Sequence, residues 1–107
     1  FIQNNDLQGC IKLDNCSSVE IFGNRINTLG SYGLRVTDAK GTFNIISNEI
    51  IASNRGISLE NSGNDPIVEE INIDYNIINA STEVYTENYS KLILKSNLSK
   101  EFAAVRA

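Results

Sequence analysis

One spacing of apolar and polar positions returns along the whole chain: apolar-x-apolar-x-x-Asn-x-apolar. It is carried by Ile2, Asn5 and Leu7, then by Val19, Ile21, Asn24 and Ile26, and then by Phe43, Ile45, Asn48 and Ile50. Ile71, Ile73, Asn76 and Ile78 repeat it, and Leu92, Leu94 and Asn97 close the series. Between these stretches lies a second block: Ile11-Lys-Leu13, Leu34-Arg-Val36, Ile57-Ser-Leu59 and, more loosely, Val84-Tyr-Thr86. Both blocks alternate with a period of two, the pattern of a strand with one face in a core and the other in solvent. Successive Asn residues are 19, 24, 28 and 21 positions apart. That is too variable for heptads and suits a solenoid whose coils carry loops of different length. The pattern predicts an all-β parallel β-helix of about four coils with three short strands per coil: the Ile-x-Leu block, the Val-x-Ile block and a brief strand after the Asn.

The repeated Asn has a physical reason within such a coil. A tight bend between two strands exposes backbone groups, and Asn tolerates the left-handed conformation while hydrogen-bonding locally. Stacked coils lie about 4.8 Å apart, so the amides of Asn5, Asn24, Asn48, Asn76 and Asn97 are expected to bond to one another as a ladder. Gly33 and Gly56 precede the Ile-x-Leu block and are expected to supply backbone angles for a sharp turn. Cys16, Ala39 and Ser62 are expected to stack as small residues at another corner. The competing fold is a leucine-rich repeat, partly matched by Phe43-x-Ile45-x-x-Asn48. Its required apolar residue three places earlier is Lys40, and a second strand block intervenes.

The coils account for residues 1–99. Gly63–Glu70 lengthens one corner, and solenoid insertions often border a binding surface. Beyond Asn97 the pattern fails, and 100–107 is rich in helix formers with Ser99 as a candidate N-cap, which predicts a short helical cap or the start of a next domain. A start in mid-coil at Phe1, without an initiator Met, predicts that these coils belong to a longer protein.

Composition narrows the chemistry. The chain has 107 residues and a net charge of −4, and Lys and Arg do not cluster, so it lacks the footprint of a nucleic-acid binder. Its apolar runs are far shorter than the ~20 residues of a membrane-spanning helix. With no His, no Met and two Cys, any metal is expected to be a hard cation held by oxygen. Cys10 and Cys16 read as a buried reduced pair rather than a disulfide framework.

The Gly-Ile-x-Leu-x-Asn-Ser stretch at 56–62, with its Ile-x-x-Asn-x-Ile partner, resembles the right-handed parallel β-helix proteins of the pectate-lyase-like superfamily. That superfamily includes polysaccharide lyases, hydrolases, epimerases and phage tailspikes. The resemblance covers residues 1 to about 99 and implies a secreted, cell-surface or virion-surface protein that binds or processes polysaccharide. The alternative it leaves open is a structural or receptor-binding shaft, such as a homotrimeric tailspike or an adhesin, with no catalysis in this segment.

In the lyases, sugar lies along the outer face of the strand after the Gly. Carried over by position, that face presents Lys12, Arg35, Ser58 and Tyr85, flanked by Asp14, Thr37, Glu60 and Glu87. Lys12, Arg35, Asp14 and Tyr85 are the candidate substrate-binding residues: the cations for uronate carboxylates, Tyr85 for stacking. Arg35 is the candidate lyase base, and Asp38 with Glu60 the candidate Ca²⁺ ligands. Glu60 and Glu87, expected on adjacent coils, are the candidate carboxylate pair for glycoside hydrolysis. The more distinctive catalytic signatures of the superfamily are not found in these coils.

Overall fold

In the computed structural model, residues 2–61, 68–87, 92–95 and 97–99 are described. They form three parallel sheets and no helix. Sheet A stacks the Val-x-Ile blocks in the order β1 (Ile2–Gln3), β4 (Ser17–Phe22), β7 (Lys40–Ile46), β10 (Val68–Asp74) and β13 (Leu92–Lys95). Sheet B stacks the brief strands β2 (Asp6–Leu7), β5 (Arg25–Asn27), β8 (Glu49–Ile51), β11 (Ile77–Asn79) and β14 (Leu98–Ser99). Sheet C holds the Ile-x-Leu blocks β3 (Ile11–Asp14), β6 (Tyr32–Thr37), β9 (Arg55–Glu60) and β12 (Thr82–Glu87). The chain visits C, A and B in turn and then repeats, so every strand pairs with its equivalent one coil away. This is a parallel β-solenoid of about four coils.

Register keeps like residues together. In sheet A, Ile2, Ile21, Ile45, Ile73 and Leu94 occupy one column, and Val19, Phe43, Ile71 and Leu92 the next. Sheet B contributes the column Leu7, Ile26, Ile50 and Ile78, and sheet C the column Ile11, Leu34, Ile57 and Val84. Val19, Phe43, Ile45, Ile71, Ile73, Ile26, Ile50, Ile78, Leu34 and Leu59 are all buried. Each full coil thus closes an apolar centre that also rests on the coils above and below. Burying one such side chain contributes roughly 1.5–3 kcal/mol.

The corner between sheets A and B is built by the Asn column. The preceding residue is left-handed on successive coils, at Asn4 (φ 54), Gly23 (φ 68), Ser47 (φ 58) and Tyr75 (φ 57). This bend turns the following Asn inward. Asn24, Asn48 and Asn76 are at most 2% exposed. The backbone N–H of Asn24 donates to Asn48 Oδ1 at 2.9 Å, and its Nδ2 donates to the same oxygen at 3.1 Å. Asn48 repeats both bonds onto Asn76 at 2.9 and 3.0 Å, and Asn76 onto Asn97 at 3.1 and 2.9 Å. The second amide proton reaches back to the preceding coil, from Asn48 to Ile21 O at 3.0 Å and from Asn76 to Ile45 O at 2.9 Å. The expected ladder is present, and it satisfies backbone and side-chain groups that would each cost about 1–3 kcal/mol if buried unpaired.

Two expectations are corrected. Gly33 and Gly56 lie inside strands β6 and β9 and have no positive φ; among the described residues the left-handed glycines are Gly23 and Gly41. They are needed for space. A Cβ on Gly33 would stand 2.3 Å from Ile50 Cγ2 and 2.9 Å from Gly56 O, and one on Gly56 2.3 Å from Ile78 Cγ2 and 2.8 Å from Glu83 O. The cysteines are free, as expected, but they are not a buried pair: Cys10 is exposed and Cys16 half-buried. Of the small-residue corner, Ala39 is buried. Ser62, most of the lengthened corner and the C-terminal helix lie outside the described residues. Among the described residues no helix is long and apolar enough to cross a membrane.

Candidate functional site

Alternation in sheet C sends Ile11, Leu34, Val36, Ile57 and Leu59 inward and the residues between them outward. Three outward columns result. Lys12, Arg35, Ser58 and Tyr85 share one, as the sequence predicts. Asp14, Thr37, Glu60 and Glu87 share the second, so Glu60 and Glu87 do occupy adjacent coils. Tyr32, Arg55 and Thr82 share the third. The first two follow from the Ile-x-Leu block; the third does not. Strict alternation counts Tyr32 and Arg55 with inward Leu34 and Ile57, but the pattern breaks at Gly33 and Gly56, which are buried next to those residues, and this leaves Tyr32 and Arg55 on the outer side beside Arg35 and Ser58.

Contacts run diagonally between these columns. Arg35 grips Glu60 on the next coil with both arms of its guanidinium, Nε to Oε2 at 2.7 Å and Nη2 to Oε1 at 3.2 Å. Ser58, fully buried beneath this layer, donates its Oγ–H to Glu60 Oε2 at 3.0 Å and accepts from Arg55 Nη1 at 3.4 Å. The Arg55 guanidinium lies 3.5 Å from the centre of the Tyr85 ring and 5.6 Å from that of Tyr32, and Arg35 stacks on Tyr32 at 4.8 Å. Such cation–π contacts are each worth about 0.5–1 kcal/mol where partly exposed. Thr37 donates to Asp14 Oδ1 at 2.5 Å.

The electrostatics follow from the fork. Hydrogen bonding to Arg35 holds the Glu60 carboxyl below its ordinary range, opposed by burial and helped by Ser58. The same bond raises the Arg35 guanidinium above its ordinary value. Glu60 is therefore ionised at neutral pH and Arg35 stays charged.

The remaining candidates are Lys12, Glu87 and Asp38. Lys12 and Glu87 are exposed, and Lys12 makes no ion pair among the described residues. Asp38 occupies the left-handed bend (φ 54) that leads from sheet C to sheet A, where its backbone N–H donates to Glu60 O at 2.8 Å. A Ca²⁺ ion takes about 6–8 oxygen ligands. Both oxygens of Glu60 are engaged by Arg35 and Ser58, and no three His, Cys, Asp or Glu side chains converge among the described residues. The donor set here does not fit a resident Ca²⁺.

Comparison of the chain with protein-family models, curated proteins and solved structures found no match. The chemistry of this face therefore has to be read from its own residues.

Proposed function

We propose that this chain is a segment of a secreted or surface β-helix protein that binds an acidic polysaccharide on the outer face of sheet C and does not cleave it there. The observation that carries this reading is the cationic, aromatic layer that Arg35, Arg55, Tyr32 and Tyr85 form over Ser58. Stacking and the Glu60 fork fix two guanidinium planes before any ligand arrives, which lowers the ordering cost of binding. The fork uses one N–H on Nε and one on Nη2 of Arg35, leaving the other donors for carboxylate or hydroxyl oxygens. Lys12, in register with Arg35 one coil away, extends the cationic strip along the solenoid axis. The resemblance to the pectate-lyase-like superfamily supports the same ligand class and an extracellular setting.

Binding without turnover is favoured because Arg35 and Glu60, two of the three candidate catalytic groups, are committed to one another. A carboxyl held low by Arg35 has no proton to donate at neutral pH, and a guanidinium raised by Glu60 is a poor base. The same bonds that disfavour catalysis stiffen the face, which also supports the reading of these coils as a rigid shaft.

The test is to incubate the protein with plant, algal and bacterial polysaccharides, measuring retention on immobilised glycan together with unsaturated-uronate absorbance and new reducing ends. Retention of a uronate polymer with neither product is expected. Absorbance would establish a lyase, and reducing ends alone a hydrolase. No retention by any acidic glycan would leave the shaft reading in place of this one.

A further inference from the structure

The outer face of sheet A differs in chemistry from that of sheet C. Gln3, Phe22 and Ile46 fall in one outward column, and Glu20, Asn44 and Asn72 in its neighbour. Between them lies an open cavity of about 250 Å³ lined by Gln3, Glu20, Phe22, Asn44 and Ile46. Phe22 is 45% exposed and gives the cavity an accessible aromatic wall. Asn72 Nδ2 donates to Asn44 Oδ1 at 3.0 Å, which occupies the carbonyl side of that amide and leaves its NH₂ as the donor offered to the cavity. Glu20 supplies an acceptor beside it, and Gln3 supplies both kinds of group.

We infer that this cavity binds one residue of a neutral saccharide. An apolar ring and an aliphatic side chain suit the C–H face of a pyranose, while two amides and a carboxylate suit its hydroxyls. Among the described residues the one charge in the lining is Glu20, which repels uronates and sulfated sugars. An ammonium ligand would use Phe22, Glu20 and the carbonyl of Gln3 but leave the NH₂ of Asn44 without a role, so the lining favours the sugar. The volume lies below the ~300–1,000 Å³ of pockets that enclose drug-sized ligands, which limits the cavity to about one ring. This site is independent of sheet C: one selects against negative charge and the other for it.

The experiment is an amide chemical-shift titration of the protein with neutral tetrasaccharides of glucose, galactose, mannose and N-acetylglucosamine, and separately with an oligouronate. At least one neutral sugar is expected to move the amides of Glu20, Phe22, Asn44 and Ile46 saturably, with an affinity unaffected by NaCl. Phe22→Ala should weaken that binding about tenfold while the rest of the spectrum reports an intact fold. Asn44→Asp, which sets a second carboxylate beside Glu20, should weaken it as well, and Lys12→Ala should leave it unchanged. The proposal is overturned if none of the four sugars shifts these amides, if the shifts persist undiminished in Phe22→Ala, or if only the oligouronate produces them. Shifts confined to Lys12 and Arg35 with the oligouronate would sustain the sheet C reading alone; sheet A shifts without them would sustain this one alone.

Discussion

The corner between sheets A and B and the outer face of sheet C are built on the same parallel register, yet they use it in opposite ways. At the corner, coil after coil presents Asn, and each side chain bonds to its own kind directly above and below. On the outer face the residue changes from coil to coil, Glu60 and Glu87 aside, and the contacts run diagonally from Arg35 to Glu60 and from Arg55 to Tyr85. Repetition follows where every coil poses the same problem, an inward bend with unpaired amides. Variation follows where the face is partly open to water and folding does not dictate the side chain.

The largest effect that sharpens this contrast is expected at the corner. Asn48→Ala removes the acceptor for the N–H and Nδ2 of Asn24 and the donor to Ile21 O, in a position 2% exposed. A loss of about 3 kcal/mol or more is expected by denaturant titration, and a loss below about 1 kcal/mol would mean that the ladder is incidental to stability. Gly56→Ala comes next. Its Cβ meets a backbone oxygen that cannot rotate away, so a cost of about 1–3 kcal/mol is expected, near the upper end. An unchanged stability would show that the coils separate easily.

The outer face should respond more weakly and with pH. Because Glu60 is held low in the folded state, its contribution is fully present above the ordinary glutamate value of 4.5 and is lost as pH falls through the lower folded value. Arg35, raised above its ordinary value by the same bond, shifts the balance only at extreme alkaline pH. With side-chain exposures of 33% and 17%, the pair is expected to be worth about 1 kcal/mol. Glu60→Gln should therefore lower the melting temperature at pH 7 but narrow its gap to the parent protein as the pH falls below 4.5. A gap constant from pH 7 to pH 3 would contradict the fork. The smallest effect is expected for Arg25→Ala. Arg25 faces Glu49 across sheet B at 3.6 Å with 55% of its side chain exposed, and a change within about 0.5 kcal/mol is expected. A larger change would mean that sheet B relies on surface charge.

The sequence and the structure agree most closely where period and stacking act together. Period-two alternation placed Ile21, Ile45, Leu34 and Ile57 inside, and the recurring Asn placed the ladder, because both express a constraint that each coil must meet. The same alternation put Lys12, Arg35, Ser58 and Tyr85 in one outward column. It did not reveal that Arg35 would reach Glu60 rather than solvent, or that Arg55 would lie on Tyr85. Those contacts depend on side-chain length and on lateral spacing between columns, which a linear pattern does not carry. Gly33 and Gly56 show the converse. Their place was visible but their reason was not, since the obstacles to a Cβ, Ile50 and Gly56 O for Gly33 and Ile78 and Glu83 O for Gly56, lie far along the chain, across the core and on the next coil.

The central claim is that the sheet C face holds an acidic glycan through charge arranged along the solenoid axis. Its most direct test is the affinity of the protein and of Lys12→Ala for one oligouronate, measured from low to physiological salt. Lys12 is exposed, so the substitution leaves the fold undisturbed. Affinity that falls steadily with salt, and falls less steeply once Lys12 is removed, is the expected result. An affinity indifferent both to salt and to Lys12, or no binding at the lowest salt, would contradict the account.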